Sequence, residues 1–583
     1  MTVSTEQHEG NRFAHLPLST SGAQETTLTG NALLRTPYFN KGSAFTEERD
    51  VFKLYGLSRP NDLAKNTFMT SLKEQNEVLY YRLILDHLKE MFSIIYTPTE
   101  GDAIADYSRL FRRPEGCFLN IDDLDHVEDD LDQCGEAEDI DLIVVSDGEQ
   151  ILGIGDQGVS AILISVAKLF IYTLCAGIHP SRTLPVVLDC GTNIATTQRR
   201  TLLGQRKARV QGEEYDSFFE KFLSACRKRY PKAYIHFEDF GLNNARRILD
   251  RYTPKITCFN DYVQGTGCVT LAAIMAAFKV SGTKWDEARF IMFGSGSAGT
   301  GIADHIKDAI SQNTCKTREE AAVQIWCVDK SGPLLNGKKD QLTPAQLLYA
   351  RDDKEWEGKE HGDLLSVVKE VKPHALIGTS TKPGAFSEDV VREMAENVEL
   401  SVIFPLSNPT RLHEAKPQDL YDCTDGKVLV ATGSPFPPVK HNGQEYDISE
   451  CNNSVTFPGI GLGAVLSRTR LMTPAMLVTA VQALASEAPV LKGSGAGLLP
   501  DVEDVCDISV KIARNVMNKA VENNMAQEKK IPDNDKDLEE WIREKMWNAQ
   551  YRPLKVVDKS IANPHARGEA GVAAWQREAK RTA

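Results

Sequence analysis

Closely spaced cysteines are missing from this chain of 583 residues. No two of its twelve cysteines lie closer than ten residues apart, so it has no CxxC pair for zinc or dithiol redox chemistry. Scattered thiols fit a reducing, cytosol-like compartment rather than a disulfide framework. Basic charge is also in short supply: 67 Lys and Arg against 81 Asp and Glu leave a net charge of -14. An acidic surface repels nucleic acid and anionic membrane, which excludes both as main partners. The basic stretch with Arg199, Arg200, Arg206, Lys207 and Arg209 reads as a solvated loop. Met1 to Arg35 has neither the apolar run of a signal peptide nor the acid-free character of a mitochondrial presequence. It carries Glu6, Glu9 and Glu25 and reads as a polar tail. The expected location is cytoplasmic, with a mitochondrial one left open. Long hydrophobic runs reduce to one, Val159 to Ile178, whose single charge is Lys168. A lysine at the centre of a lipid-spanning helix is costly, and nothing else resembles a second span, so a buried helix of a soluble protein is expected.

The length calls for two or more domains. Leu72 to Tyr96 has apolar residues at helical spacing, among them Leu79, Leu83, Leu85, Leu88 and Met91, and residues 1–115 read as a helical region. From about 116 to 260 apolar runs end in polar residues: Asp141 to Val145 before Ser146-Asp147-Gly148, Leu184 to Leu188 before Asp189, and Ala233 to Phe237 before Glu238-Asp239. Such runs separated by helical stretches predict a parallel sheet with βαβ crossovers. A second series over 261–452 has five runs: Arg289 to Phe293, Gln324 to Val328, Ala375 to Ile377, Val402 to Pro405 and Val428 to Ala431. This series predicts a doubly wound, Rossmann-type nucleotide domain. Residues 470–527 return to helical patterns, and about 453–530 are expected to complete the first α/β domain. The tail 531–583 is charged, with Trp541 and Trp547 expected to dock on the body. The fold class is thus α/β with a helical N-terminal region and two parallel-sheet domains.

Four motifs carry chemistry. Gly294-x-Gly296-x-x-Gly299 follows a strand and precedes a helix, which suits a pyrophosphate on a helix N-terminus. Asp329, at the end of the next strand, is placed to hold an adenosine ribose hydroxyl and leans towards NAD, although Lys330 beside it suits the 2′-phosphate of NADP. Glu238-Asp239 at a strand end suits a hard divalent cation, magnesium or manganese, or else is a pair of solvated acids. Lys168 inside an apolar helix is either a desolvated general base or a lysine that snorkels to the surface. Tyr96, before Thr97-Pro98, is either a general acid or a packing residue.

Taken in order, these pieces resemble the malic enzyme family over nearly the whole chain, and closest to its fungal and bacterial branch. The matching segments are Asn40 to Phe45, Tyr96 to Thr99, Ile151 to Asp156, Phe237 to Gly241, Phe259-Asn260-Asp261 with Gln264 to Thr266, Gly294 to Gly299, Pro405 to Thr410, and Asn452-Asn453 with Phe457 to Gly459. The resemblance implies oxidative decarboxylation of (S)-malate to pyruvate with NAD or NADP. It implies Lys168 as base, Tyr96 as the acid that protonates C3, and Asp261 as the group that tunes Lys168. It gives Glu238 and Asp239 as metal ligands, Asn408 and Asn453 as contacts to nicotinamide or substrate, and a homodimer or homotetramer.

Three departures from the family stand out. Tyr262 occupies the position of a third metal carboxylate, Gln150 that of a substrate-binding arginine, and Ile194 to Leu203 does not follow the usual pattern. Two alternatives to malate oxidation follow: a malolactic reaction that releases lactate and retains its cofactor, and a catalytically weak regulatory homologue, which Tyr262 and Gln150 favour.

Overall fold

The computed structural model describes residues 61–110, 113–135, 139–194, 202–330, 332–408 and 410–551. The Met1 to Arg35 tail, Asn40 to Phe45, Arg199, Arg200, most of Ile194 to Leu203, Pro409 and the tail beyond 551 lie outside the described residues. The chain forms two compact units, Met1–Ala103 with Asn548–Ala583, and Ile104–Trp547.

In the first unit the helical pattern resolves into Asp62–Gln75, Glu77–Asp86 and Leu88–Ile95. Asn76 closes one helix and opens the next: its N–H donates to Leu72 O and its side chain accepts from Leu79 N. The break resets the helical phase. Leu79, expected on the apolar face, is 42% exposed, and Tyr80, Tyr81 and Ile84 are buried instead.

In the second unit a five-stranded, wholly parallel sheet runs β1-β3-β2-β4-β5. Its strands are β1 (Cys117–Asn120), β2 (Leu142–Ser146), β3 (Thr183–Asp189), β4 (Tyr234–Phe237) and β5 (Cys258–Asn260). The helix Ile162–Ala176 crosses from β2 to β3 and packs against both, and against helices Phe457–Ser467 and Val505–Glu522. Its burial on several sides explains its near-continuous apolar sequence. Gly461 permits the close approach of Phe457–Ser467, because a Cβ there would overlap the Tyr172 ring. Among the described residues two helices, not one, are long and apolar enough to span a membrane: Gly158–Ala176 and Asp261–Ser281. The second escapes a search for Leu and Ile because it owes its hydropathy largely to Ala and Val. Both are mostly inside the protein, 89% and 78% buried over their most apolar windows.

The second sheet has seven strands in the order β14-β11-β10-β9-β6-β7-β8, where β6 is Phe290–Phe293, β7 Ile325–Asp329, β8 Gly332–Pro333, β9 Ala375–Gly378, β10 Ser401–Pro405, β11 Val428–Thr432 and β14 Ser449–Glu450. The hairpin between β12 (Val439–His441) and β13 (Gln444–Tyr446) stands apart from this sheet. All pairings in the large sheet are parallel except β7 with β8. From β6 the chain winds to β7 in one direction and to β9, β10 and β11 in the other. That reversal opens a crevice at the C-terminal ends of β6 and β9, where open α/β sheets bind ligands. The C-terminal helix Asp535–Lys545 docks through Leu538 and Ile542, with Trp541 only half-buried, while the Trp547 N–H donates to Gly177 O at the end of the Lys168 helix.

Candidate active site

Polar side chains collect where β4 and β5 of the first sheet end. Glu238 is the first residue after β4, and Asp239 follows with φ +49, a left-handed conformation that bends the chain. Strict strand alternation would separate two adjacent side chains; the bend leaves both buried, at 2% and 6% exposure. Asp261 opens a π-helical turn, Asp261–Gly265, directly after β5. Lys168 reaches this place from its helix and is 3% exposed, so it does not snorkel. Its Nζ lies 2.6 Å from Asp261 Oδ2, 3.2 Å from Glu238 Oε1 and 4.9 Å from the Phe457 ring centre.

The electrostatics follow from burial. Desolvation pushes the Glu238 carboxyl up to about 8 against the attraction of Lys168, and pushes Asp239 well above the usual range with help from the Glu238 charge. Asp261 resists the same burial: the charge on Lys168, with His236 and the Asn453 amide, holds it below its ordinary value. The Asn453 Nδ2 donates to both Asp261 Oδ2, at 2.9 Å, and Asp261 O, at 3.1 Å. Asp261 Oδ1 is buried and accepts no hydrogen bond from the described residues. Such an orphaned oxygen beside two further carboxylates fits a hard divalent cation.

His236 belongs to this cluster and is invisible to motif reading, because a histidine inside a short apolar strand looks like filler. Its Nε2 lies 2.6 Å from Glu238 Oε2, and its Nδ1 lies 2.9 Å from the Tyr172 hydroxyl. Burial holds the imidazole at about 3. A neutral ring satisfies both contacts if Tyr172 donates to Nδ1 and Nε2–H donates to Glu238. One ligating atom each from His236, Glu238 and Asp261 lies within 4.8 Å of the others, a grouping that does not include Asp239. The Asp239 Oδ2 instead accepts from Leu152 N at 2.9 Å, and its carbonyl from the Gln150 N–H. Gln150 therefore sits beside the acids, joined through its backbone. Tyr262 is half-buried and packs against the apolar cluster under the first sheet, and the Asp239 charge contributes, after burial, to raising its phenol. Tyr96, in the other unit, ends helix Leu88–Ile95 and stacks edge-on against Phe92, with ring centres 5.5 Å apart.

Arg209 is not part of a solvated loop. It is 7% exposed, forks onto Asp156 at 3.0 and 2.7 Å, and donates to Asp147 O at 2.8 Å. Asp156 also accepts from Thr192 Oγ1 and Asn193 N, so this clamp fixes the loops after β2 and β3. A run of basic residues hides such an exception, since only burial tells a bidentate arginine from a solvated one.

At the crevice of the second sheet, the Gly294–Gly299 turn leads into helix Ser297–Asn313. Gly294 has φ +103, and a Cβ there would strike the Thr379 backbone, while one on Gly299 would overlap Gly294 O. Gly296 has no atom within 4 Å of an added Cβ, which leaves its face open to a ligand. Asp329 accepts from Ser295 Oγ at 2.9 Å and from Lys330 N at 2.8 Å, which ties it to the glycine turn. Asn408 is exposed beyond the end of β10 and its side chain accepts from Ser434 Oγ.

Two family models match the chain: "Malic enzyme, N-terminal domain" over residues 73–253 and "Malic enzyme, NAD binding domain" over 263–521. This chain belongs to the malic enzyme family. It is 46% identical to the Saccharomyces cerevisiae protein named "NAD-dependent malic enzyme, mitochondrial", over 92% of this chain and 85% of that one. It is 43% identical to "NAD-dependent malic enzyme" of Schizosaccharomyces pombe, over 92% of this chain and 100% of that one. The fold is also that of the Entamoeba histolytica malic enzyme crystal structure, at TM-score 0.53 and 20% identity, over 88% of this chain and 95% of that one.

Proposed function

We propose that this chain oxidises (S)-malate with NAD and releases pyruvate and carbon dioxide. The observation that carries the reading is Lys168 buried against Asp261 and Glu238, in a chain that also has an open glycine turn at a sheet crevice. Lys168 accepts the C2 hydroxyl proton as the C2 hydride departs. Lys168 enters this step as the neutral amine and leaves it as the ammonium, whose charge Asp261 offsets, and Asn453 fixes Asp261. Bound NAD supplies the hydride acceptor. Glu238, Asp239 and the free oxygen of Asp261 hold magnesium or manganese, which supplies Lewis-acid stabilisation of the substrate oxygens. Tyr96, assigned on resemblance alone, protonates C3 after decarboxylation. Gln150 and Asn453 contact malate, and Asn408 contacts the cofactor. Asp329 keeps lone pairs for a ribose hydroxyl and repels a 2′-phosphate, which favours NAD over NADP.

In this reading residues 116–260 with 453–530 form the malate domain and 261–452 the NAD domain, in a homodimer or homotetramer. The twelve unpaired cysteines suit a reducing compartment, cytosolic or mitochondrial. One observation favours the weak, regulatory homologue: Tyr262 adds a ring to the apolar cluster where the family has a third acid. Malate oxidation measured with NAD and with NADP, each with and without manganese, tests the proposal. It expects manganese-dependent NADH formation faster than NADPH formation. NAD binding without turnover would support the regulatory reading, and lactate release without free NADH the malolactic one.

A further inference from the structure

Glu414 has 0% exposure, and no ion pair reaches it from the described residues. Its Oε1 accepts from Ser380 N at 2.8 Å, Ser380 Oγ at 2.8 Å and Ser407 Oγ at 2.5 Å, and its Oε2 from Ser407 N at 3.4 Å. Ser380 belongs to the turn after β9 and Ser407 to the segment after β10. One buried anion thus ties together the ends of two neighbouring strands. Gly378, the last residue of β9, has no side chain where a Cβ would run into the Glu414 carboxylate and the Phe386 ring.

The serines pass the constraint outwards. With its own proton given to Glu414, Ser407 Oγ accepts from Thr381 N at 2.8 Å, and Ser380 Oγ accepts from Lys382 N at 3.2 Å. Thr381 has φ +54. A β-branched residue in the left-handed region is strained, and it persists only where its surroundings over-determine it. Thr379, on the other side of Ser380, donates its hydroxyl to Gly294 O at 2.8 Å, the first glycine of the cofactor turn. Asn408 follows Ser407 directly. Glu414 therefore fixes, through two serines, a strained turn that abuts the glycine loop and the segment that presents Asn408.

We propose that Glu414 is a positioning residue for the dinucleotide, setting both walls of the crevice at the ends of β9 and β10. It acts through Ser380, Thr381 and Ser407 and touches no ligand itself. The proposal rests on the reading of Gly294–Gly299 as an NAD site. Strain held by a buried anion does not survive the loss of its acceptor, since a neutral amide brings an N–H to face serine donors. Supports of this outer kind typically matter about 10- to 100-fold.

The test is Glu414→Gln in the full chain, with NADH binding read directly by fluorescence in the absence of malate. The dissociation constant is expected to rise about tenfold or more, with the KM for NAD rising in parallel. The KM for malate and kcat are expected to stay within about threefold, because the malate cluster lies on the other sheet. Ser407→Ala and Ser380→Ala, which each remove one donor, should weaken NADH binding by smaller factors, and they replace the glutamine variant should it fail to fold. A folded Glu414→Gln with unchanged NADH affinity overturns the proposal even if its melting temperature falls; so do folded serine variants that bind normally. If the natural chain binds no NADH, the NAD reading fails and this proposal with it.

Discussion

Replacing Lys168 with alanine probes the centre of the site. The side chain removed is the cation between Asp261, at 2.6 Å, and Glu238, at 3.2 Å, all three groups being about 3% exposed or less. Two effects follow. Loss of a general base costs about a hundredfold or more in rate, or about 2.7 kcal/mol of barrier. Removing one partner of a buried ion pair costs about 3–5 kcal/mol of stability. Asp261 loses the cation that holds its carboxyl below the ordinary range, so the loss falls in this range. The assay is initial NADH formation at saturating malate, NAD and manganese, beside NADH binding and a thermal melt. Lys168→Ala should melt lower, bind NADH normally and turn over at most about one hundredth as fast. A folded variant with unchanged turnover refutes the assignment, and one whose rate falls only as its NADH affinity falls moves Lys168 out of the chemistry.

Gly296→Val should weaken NAD binding by about tenfold or more while leaving the protein folded, because its backbone is extended and no protein atom meets the new Cβ, so the side chain enters ligand space; normal NAD affinity refutes that placement. Tyr262→Asp exchanges a packed ring for a carboxylate beside Asp239, so it should melt lower without metal, recover with manganese, and need less manganese for half-maximal activity; identical manganese titrations for the two proteins rule this out. His305, on the helix after the glycine turn, is held by burial at about 4, below the roughly 6.5 of an unfolded histidine. Between those values the unfolded chain binds a proton that the folded chain refuses, so stability should drop by about 3 kcal/mol as pH falls from 6.5 to 4. His305→Leu should remove that part of the acid sensitivity, and equal losses in both proteins, measured by urea unfolding at each pH, count against it.

The legible parts of the sequence were those written as runs. All five expected strands of the second sheet and three of the first appear, because a strand buried on both faces must be continuously apolar. Strands β1 and β5 escaped because Cys117–Asn120 and Cys258–Asn260 are short and mix Cys and Asn with apolar residues. Lys168, Glu238 and Asp239 stand out by residue type and Asp261 only by the family resemblance, and their convergence rests on a left-handed Asp239 and a π-turn at Asp261, which no spacing reveals. His236 and Glu414 carry no signal in the sequence, and Arg209 reads wrongly as solvated, for a common reason: what they do is set by burial and by partners distant in the chain, and a polar residue carries no mark of either.

The most direct measurement of the central claim is the product balance of one reaction: full-length chain, (S)-malate, NAD and manganese, with NADH, pyruvate, lactate and carbon dioxide all quantified. The account predicts NADH, pyruvate and carbon dioxide in equal amounts and no lactate. Lactate and carbon dioxide without accumulated NADH, or no product from a chain that binds NADH, would contradict it.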